Sequence, residues 1–316
     1  MYFSKENFLK RLPFLNNQRK LKLIIVLLFV QFVSNCAHQV ESIKSDVQHK
    51  EKVFLVLAHP DDETMLGGFL LELKRLNIPV YALYLTSGEG GKLQVLDKKG
   101  EWQGQNIDSL KLKKIREHEL SKAATNYGFQ NYFLFNQKDE PLRDKSGLPI
   151  RDGQVFLNKK IWNKQQIQKK ILTLFEKYKP SYVITMSLDQ HTHAHHKASR
   201  IILDELKLTQ KFSFIKGVYA YTETNWVEPS KEDEKKLPMM TLDRKQKMPQ
   251  SKYSYGSINA QIASAHYSQR SGHIDLSEHK EEIYQVDGSL LNFYELLCSD
   301  NNCGQRIQYI VHKDAK

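Results

Sequence analysis

Apolar and polar positions along this chain fall into blocks that predict strands and helices in turn. Residues 53–57, VFLVL, are an unbroken apolar run, as expected of a strand buried on both faces. The run stops in a polar cluster, His59, Pro60, Asp61, Asp62 and Glu63. Gly67 and Gly68 follow, then a helical pattern through Leu70, Leu71 and Leu73. Residues 80–86 read as a second strand, 131–135 as a third, 182–186 as a fourth and 217–221 as a fifth. Between them, residues 107–127 read as a helix with Leu110, Ile115, Leu120 and Ala124 as apolar positions, ended by Gly128. Residues 161–178 read as an amphipathic helix with Ile167, Ile171, Leu174, Phe175 and Tyr178 inward, ended before Pro180. Strands alternating with helices predict an α/β fold with a mostly parallel sheet.

The polar stretches are read as connections. Residues 92–105 are expected to be a loop, and 136–160 a long loop of the kind that forms lids or substrate walls. Residues 223–251 are expected to be an irregular excursion, with Trp226 on a substrate rim. Residues 258–269 are expected to be helical, and 284–298 to close the domain. With no internal repeat and no second domain in the pattern, residues 52–316 read as one domain.

The N-terminus has a different character. A basic stretch ends at Lys22, residues 23–30 are wholly apolar, and Val33-Ser34-Asn35-Cys36 follows. This predicts an export signal over residues 1–35, too short for a comfortable membrane span, and a polar linker over 36–51. Val-Ser-Asn-Cys resembles a bacterial lipobox, which makes Cys36 the candidate for lipidation; Asn35 departs from the usual small residue there. The alternative is an uncleaved signal anchor. Either way the domain is expected outside the cytoplasm, tethered to a membrane. Of 316 residues, 47 are basic and 36 acidic; six of the basic and one of the acidic lie in residues 1–35. That leaves 41 against 35, a mild excess with no basic stripe interleaved with aromatics, so no nucleic-acid partner is expected. An exported chain also makes Cys298 and Cys303, either side of a polar turn, a candidate disulfide; two unpaired thiols are the alternative.

The candidate chemistry sits at the carboxyl ends of strands, where open α/β sheets bind ligands. His59 and Asp62, three apart on a turn, can grip one cation, with Asp61 between them left for proton work. A simple helix cap explains one acid there and leaves two more and a histidine unaccounted for. After the second strand, Ser87-Gly88-Glu89-Gly90-Gly91 can wall the same crevice; no GxGxxG opens a helix, which argues against a dinucleotide site. After the fourth strand come His191, His193, His195 and His196, which can supply a third ligand or form no more than a metal-sticky tract.

AHPDDE after a first strand resembles the signature of the PIG-L/LmbE-like metal-dependent de-N-acetylases. SGEGG resembles a further segment of that family, Arg116 and Glu119 its RxxE, residues 193–198 its second histidine motif, and His266-Tyr267-Ser268-Gln269 an HxSQ segment. The resemblance implies a Rossmann-like three-layer fold with a metal site at the carboxyl ends of the strands. It implies His59, Asp62 and His196 as ligands of zinc, or of another divalent metal such as Fe2+. Asp61 would be the general base, and a protonated His193 would stand beside the scissile carbonyl. Glu63, Gly88, Glu89, Arg116 and His266 would support the pocket. Two departures, Thr192 for Gly and His195 for Asp or Asn, keep His195 open as the alternative third ligand. The implied reaction is removal of an N-acetyl group. The expected export points to an N-acetylglucosamine unit of an envelope or secreted glycan, or a glycolipid, as substrate. The alternatives are an amidase acting on another N-acyl compound and a non-catalytic metal- or glycan-binding lipoprotein.

Overall fold

A computed structural model describes residues 51–140, 142–188, 193–221, 237–272, 280–300 and 302–311. The chain divides into residues 1–50 and 51–316, and the second unit is the one described. The expected signal, the linker and Cys36 therefore lie outside the described residues, as do His191 and Trp226.

Five parallel strands form the heart of the sheet: β1 (Val53–Leu57), β2 (Val80–Thr86), β5 (Asn131–Gln137), β6 (Tyr182–Met186) and β7 (Gly217–Tyr221). They run in the order β7-β6-β1-β2-β5. Beyond β7 the sheet continues antiparallel through β9 (Lys280–Gly288), β8 (Met239–Asp243) and β10 (Ile307–Ile310). In β1 the side chains alternate between two cores. Val53, Leu55 and Leu57 enter the core under α1 (Gly67–Arg75), α2 (Ser109–Tyr127), α7 (Tyr255–Ala263) and α8 (Leu290–Leu297). Phe54 and Val56 enter the other, under α3 (Gly153–Asn158), α4 (Lys164–Tyr178), α5 (Ala194–Asp204) and α6 (Leu208–Lys211). Both faces of the strand are covered, which is why its sequence is continuously apolar.

Several elements differ from the sequence expectation, each for a local reason. Residues 92–105 are a hairpin, β3 (Leu93–Leu96) with β4 (Trp102–Gln105), rather than a loop. Asp97 Oδ1 accepts from the Lys99 and Glu101 N–H groups, and Gly100 takes φ +81°, so a polar stretch makes a tight turn. Residues 239–243 form β8, a buried strand, inside what reads as an irregular excursion. The supposed long loop 136–160 contains α3, capped by Asp152, with Phe156 and Leu157 buried. The helix read over 107–127 starts at Ser109 because Asp108 caps it, and that read over 161–178 starts at Lys164 because Asn163 does. The segment read as one helix over 258–269 is α7 followed by a 3-10 turn, Tyr267–Gly272. Cys298 and Cys303 are joined as a disulfide, with Cα atoms 5.0 Å apart. Among the described residues no helix is long and apolar enough to cross a membrane.

One buried charge joins the antiparallel strands to the helix that follows the first motif. Glu281 on β9 accepts from the Gly68 and Phe69 N–H groups at the start of α1, at 2.6 and 2.9 Å. It also accepts from Arg244 Nε at 2.7 Å, and Arg244 reaches Met65 O at 2.8 Å. Both side chains are buried. Glu281→Ala removes the carboxylate partner of Arg244 Nε and the acceptor of two helix amides, so unfolding stability should fall by about 3–5 kcal/mol. Chemical denaturation with and without the substitution checks this.

Candidate active site

The strand order reverses between β1 and β6, with β2 and β5 to one side and β7 to the other. Side chains that follow these two strands meet in the crevice at their carboxyl ends. After β1 the chain turns sharply. Asp62 Oδ2 accepts from the N–H groups of Ala58 and His59, at 2.9 and 2.8 Å. Those bonds fix the carboxylate and leave Oδ1 facing the crevice. From β6 the chain enters α5, with His193 at its N-cap and His195 and His196 in its first turn.

Three donors converge there. His59 Nδ1 lies 3.1 Å from His196 Nε2, His196 Nε2 lies 3.2 Å from Asp62 Oδ1, and His59 Nδ1 lies 3.8 Å from Asp62 Oδ1. All three residues are buried. Two imidazoles and one carboxylate at this mutual spacing suit a small divalent cation such as zinc and leave a coordination position for water. A second grouping of His59, His193 and His195 is also compact.

The charges bear out a tight electrostatic unit. Burial opposes ionisation of Asp62, but His196 and His59 outweigh it and hold its pKa well below the carboxylate range. Burial opposes a charge on His59, but Asp139 and then Asp62 outweigh it and raise its pKa to about 9. Burial raises Asp61 to about 7, helped by the charge of Asp62 and opposed by His266, Arg116 and His59. Asp61 does not cap the turn that follows it, and it sits at φ +110°. Its backbone is held instead by Glu63, which takes the Asp61 N–H at 3.0 Å, the Tyr84 hydroxyl at 3.0 Å and His266 Nε2 at 2.6 Å. Gln269 adds a bond to Pro60 O at 2.9 Å.

His193 is exposed as a residue, but its ring packs parallel to that of His196 with centroids 4.7 Å apart. Desolvation of the ring, then the charges of His196 and His59, push its pKa down to about 2. The ring cast as protonated by the sequence reading is therefore neutral near pH 7 in the metal-free protein.

The supporting residues are placed as follows. Arg116 and Glu119 are both buried. Glu119 accepts from the Ser268 N–H and hydroxyl, at 2.8 and 2.7 Å. Arg116 lies against the glycine loop: Gly88 has φ +73°, and a Cβ there would come within 2.4 Å of Arg116 Nη1. Glu89 Oε1 accepts from the Asp139 N–H at 3.1 Å. His266 is fully buried against Glu63 and does not pack as part of a helix.

Sequence reasoning missed Asp139. Its Oδ1 lies 3.3 Å from His59 Nε2 and 3.1 Å from His195 Nδ1. Burial opposes its ionisation, but His59 and His195 hold its pKa far below the carboxylate range. The available signal was an acidic pair, Asp139-Glu140, just past the carboxyl end of a third parallel strand.

A Rossmann-like α/β sheet with a two-histidine, one-aspartate centre at its switch point defines the class. Residues 54–206, which contain both motifs, match the PIG-L family, described as GlcNAc-PI de-N-acetylase. Among curated proteins no sequence match is found. Among solved structures, a deacetylase–bog complex from the teicoplanin biosynthesis pathway is similar at 13% identity, covering 75% of this chain and 100% of that one, with a TM-score of 0.52. The zinc-inhibited form of teicoplanin deacetylase Orf2 is similar at 12% identity, 75% and 100% coverage and a TM-score of 0.51. N,N'-diacetylchitobiose deacetylase from Pyrococcus horikoshii gives 17% identity, 72% and 76% coverage and a TM-score of 0.44. At these identities the likeness is one of fold.

Proposed function

We propose that this protein is a metal-dependent N-deacetylase that hydrolyses the N-acetyl amide of an N-acetylglucosamine-containing substrate to acetate and a free amine. The observation that carries the reading is Asp61: a carboxylate beside the ligand triangle, not part of it, with its pKa raised to about 7. A binding site has no need of such a base, whereas a hydrolase does.

His59, Asp62 and His196 would hold the metal, with zinc the best match and Fe2+ the other choice. When bound, it supplies Lewis acidity toward a water molecule and the amide carbonyl. Asp61 accepts the proton of the attacking water and, once protonated, returns it to the leaving nitrogen. His193, neutral and at the rim, donates a ring N–H to the carbonyl oxygen as negative charge builds there. Glu63 and His266 hold Asp61 in its unusual backbone conformation throughout.

The family description and the deacetylases of similar fold support the reaction class. The sugar follows from the same description and from the signal-like pattern of residues 1–35, which we take as tethering the enzyme at the cell envelope through Cys36 or an uncleaved anchor. Assay of the zinc-loaded protein against a panel of N-acetylated sugars and longer N-acyl amines tests the proposal. Acetate release from N-acetylglucosamine-containing compounds is expected. Release of longer acyl groups alone would favour the amidase, and no release from any member would contradict an enzyme of this kind.

A further inference from the structure

We propose that Asp139 and His195 are positioning residues that fix the tautomer of His59, so that its Nδ1 lone pair faces Asp62 and His196. The inference rests on the metal site described above. A neutral imidazole carries one proton, and its placement decides which nitrogen can bind a cation. For His59 the two nitrogens face opposite sides. Nδ1 faces the triangle with Asp62 Oδ1 and His196 Nε2. Nε2 faces Asp139 Oδ1 at 3.3 Å and His195 Nδ1 at 3.0 Å.

The polarity of that second side follows from the carboxylate. Asp139 Oδ1 lies 3.3 Å from His59 Nε2 and can only accept, so a singly protonated His59 carries its proton on Nε2 and turns its Nδ1 lone pair to the triangle. His195 sits against the same corner, its Nδ1 3.1 Å from Asp139 Oδ1 and its Nε2 3.2 Å from Glu140 O, and so holds the carboxylate in place beside His59. Carboxylates that orient metal-binding histidines in this way are a common device.

The device is built into the fold rather than resting on one flexible side chain. Asp139 Oδ2 accepts from the Gly90 N–H at 3.0 Å. A Cβ on Gly90 would lie 1.6 Å from Asp139 O, so only glycine allows that approach. Trp162 Nε1 donates to Lys138 O at 2.9 Å and pins the same segment. The His195 ring is packed between Phe156, edge-on at 4.6 Å between centroids, and Trp162 at 5.0 Å. His195 thus has a role without being the third ligand.

The test uses the full-length protein, zinc as probe, and 15N-labelled histidine. Zinc affinity is measured by chelator competition for the unsubstituted protein, Asp139→Ala and Asp139→Asn. Long-range 1H–15N spectra of the zinc-loaded protein report which His59 nitrogen keeps its proton, with His59→Gln assigning the signal. Asp139→Ala is expected to weaken zinc binding about 10–100-fold and to lose the pure Nε2–H pattern. Asp139→Asn, whose amide oxygen still accepts, should recover most of both. Unchanged affinity and tautomer in Asp139→Ala, with the unsubstituted protein binding zinc, would overturn this proposal alone. Two zinc ions per chain falling to one in Asp139→Ala would also overturn it, by making Asp139 a ligand. If the unsubstituted protein binds no zinc, the site itself fails, and with it the proposed function.

Discussion

Asp61→Asn is expected to lower turnover by about 10²–10⁴-fold while leaving metal content at the level of the unsubstituted protein. The substitution removes the group that accepts a proton and little else. Asn is among the few residues that tolerate positive φ, so the turn at φ +110° should survive, held as before by Glu63 through the backbone N–H. The carboxylate accepts no capping hydrogen bond from the turn that follows it, so thermal stability should not fall. The pH dependence gives a second signature. Asp61 must be ionised to act as a base, so the rate should rise as pH climbs through its pKa. That value is about 7 without metal, and a bound cation beside it lowers it, which places the acid limb at or below about 7. Steady-state rates across pH 4 to 9, with metal analysis on the same samples, measure both effects. Full activity in Asp61→Asn would remove the base from the account.

The second large effect concerns the ligands. His59→Ala and His196→Ala should each weaken metal binding by more than about 100-fold, beyond the usual effect of losing an outer hydrogen-bond partner, and activity should disappear with the metal. The two residues come from opposite sides of the switch point, one after β1 and one on α5. Equal losses would mean that the crevice itself holds the cation. If His59→Ala left binding intact, the histidine tract on its own would be the binder. Metal content by atomic absorption, followed by competition with a chelator, separates these outcomes.

Much of this was legible in the sequence, and the parts that were not share a cause. The five parallel strands could be read because strands covered on both faces are continuously apolar, as in VFLVL and VYALYLT. The first motif was legible because a histidine and three acids end such a strand. The antiparallel strand β8 was not, because Met239–Asp243 is short and bordered by polar residues, and only its neighbours β9 and β10 make it a strand. The hairpin 93–105 likewise depends on turn chemistry at Asp97 and Gly100 more than on apolar pattern. Asp139 stayed hidden because its partners His59 and His195 are far from it in sequence, and an acidic pair after a strand points to no particular partner until they are brought beside it. The lowered pKa of His193 was also beyond reach, since it comes from desolvation of its ring and then from the imidazoles of His196, His59 and His195 gathered around it.

The central claim is that His59, Asp62 and His196 hold one catalytic metal. The most direct measurement is an anomalous difference map at the zinc edge from crystals of the zinc-loaded protein. The account predicts one peak about 2.0–2.2 Å from His59 Nδ1, Asp62 Oδ1 and His196 Nε2. A peak held by His195 and Asp139 instead, or none at all, would contradict it.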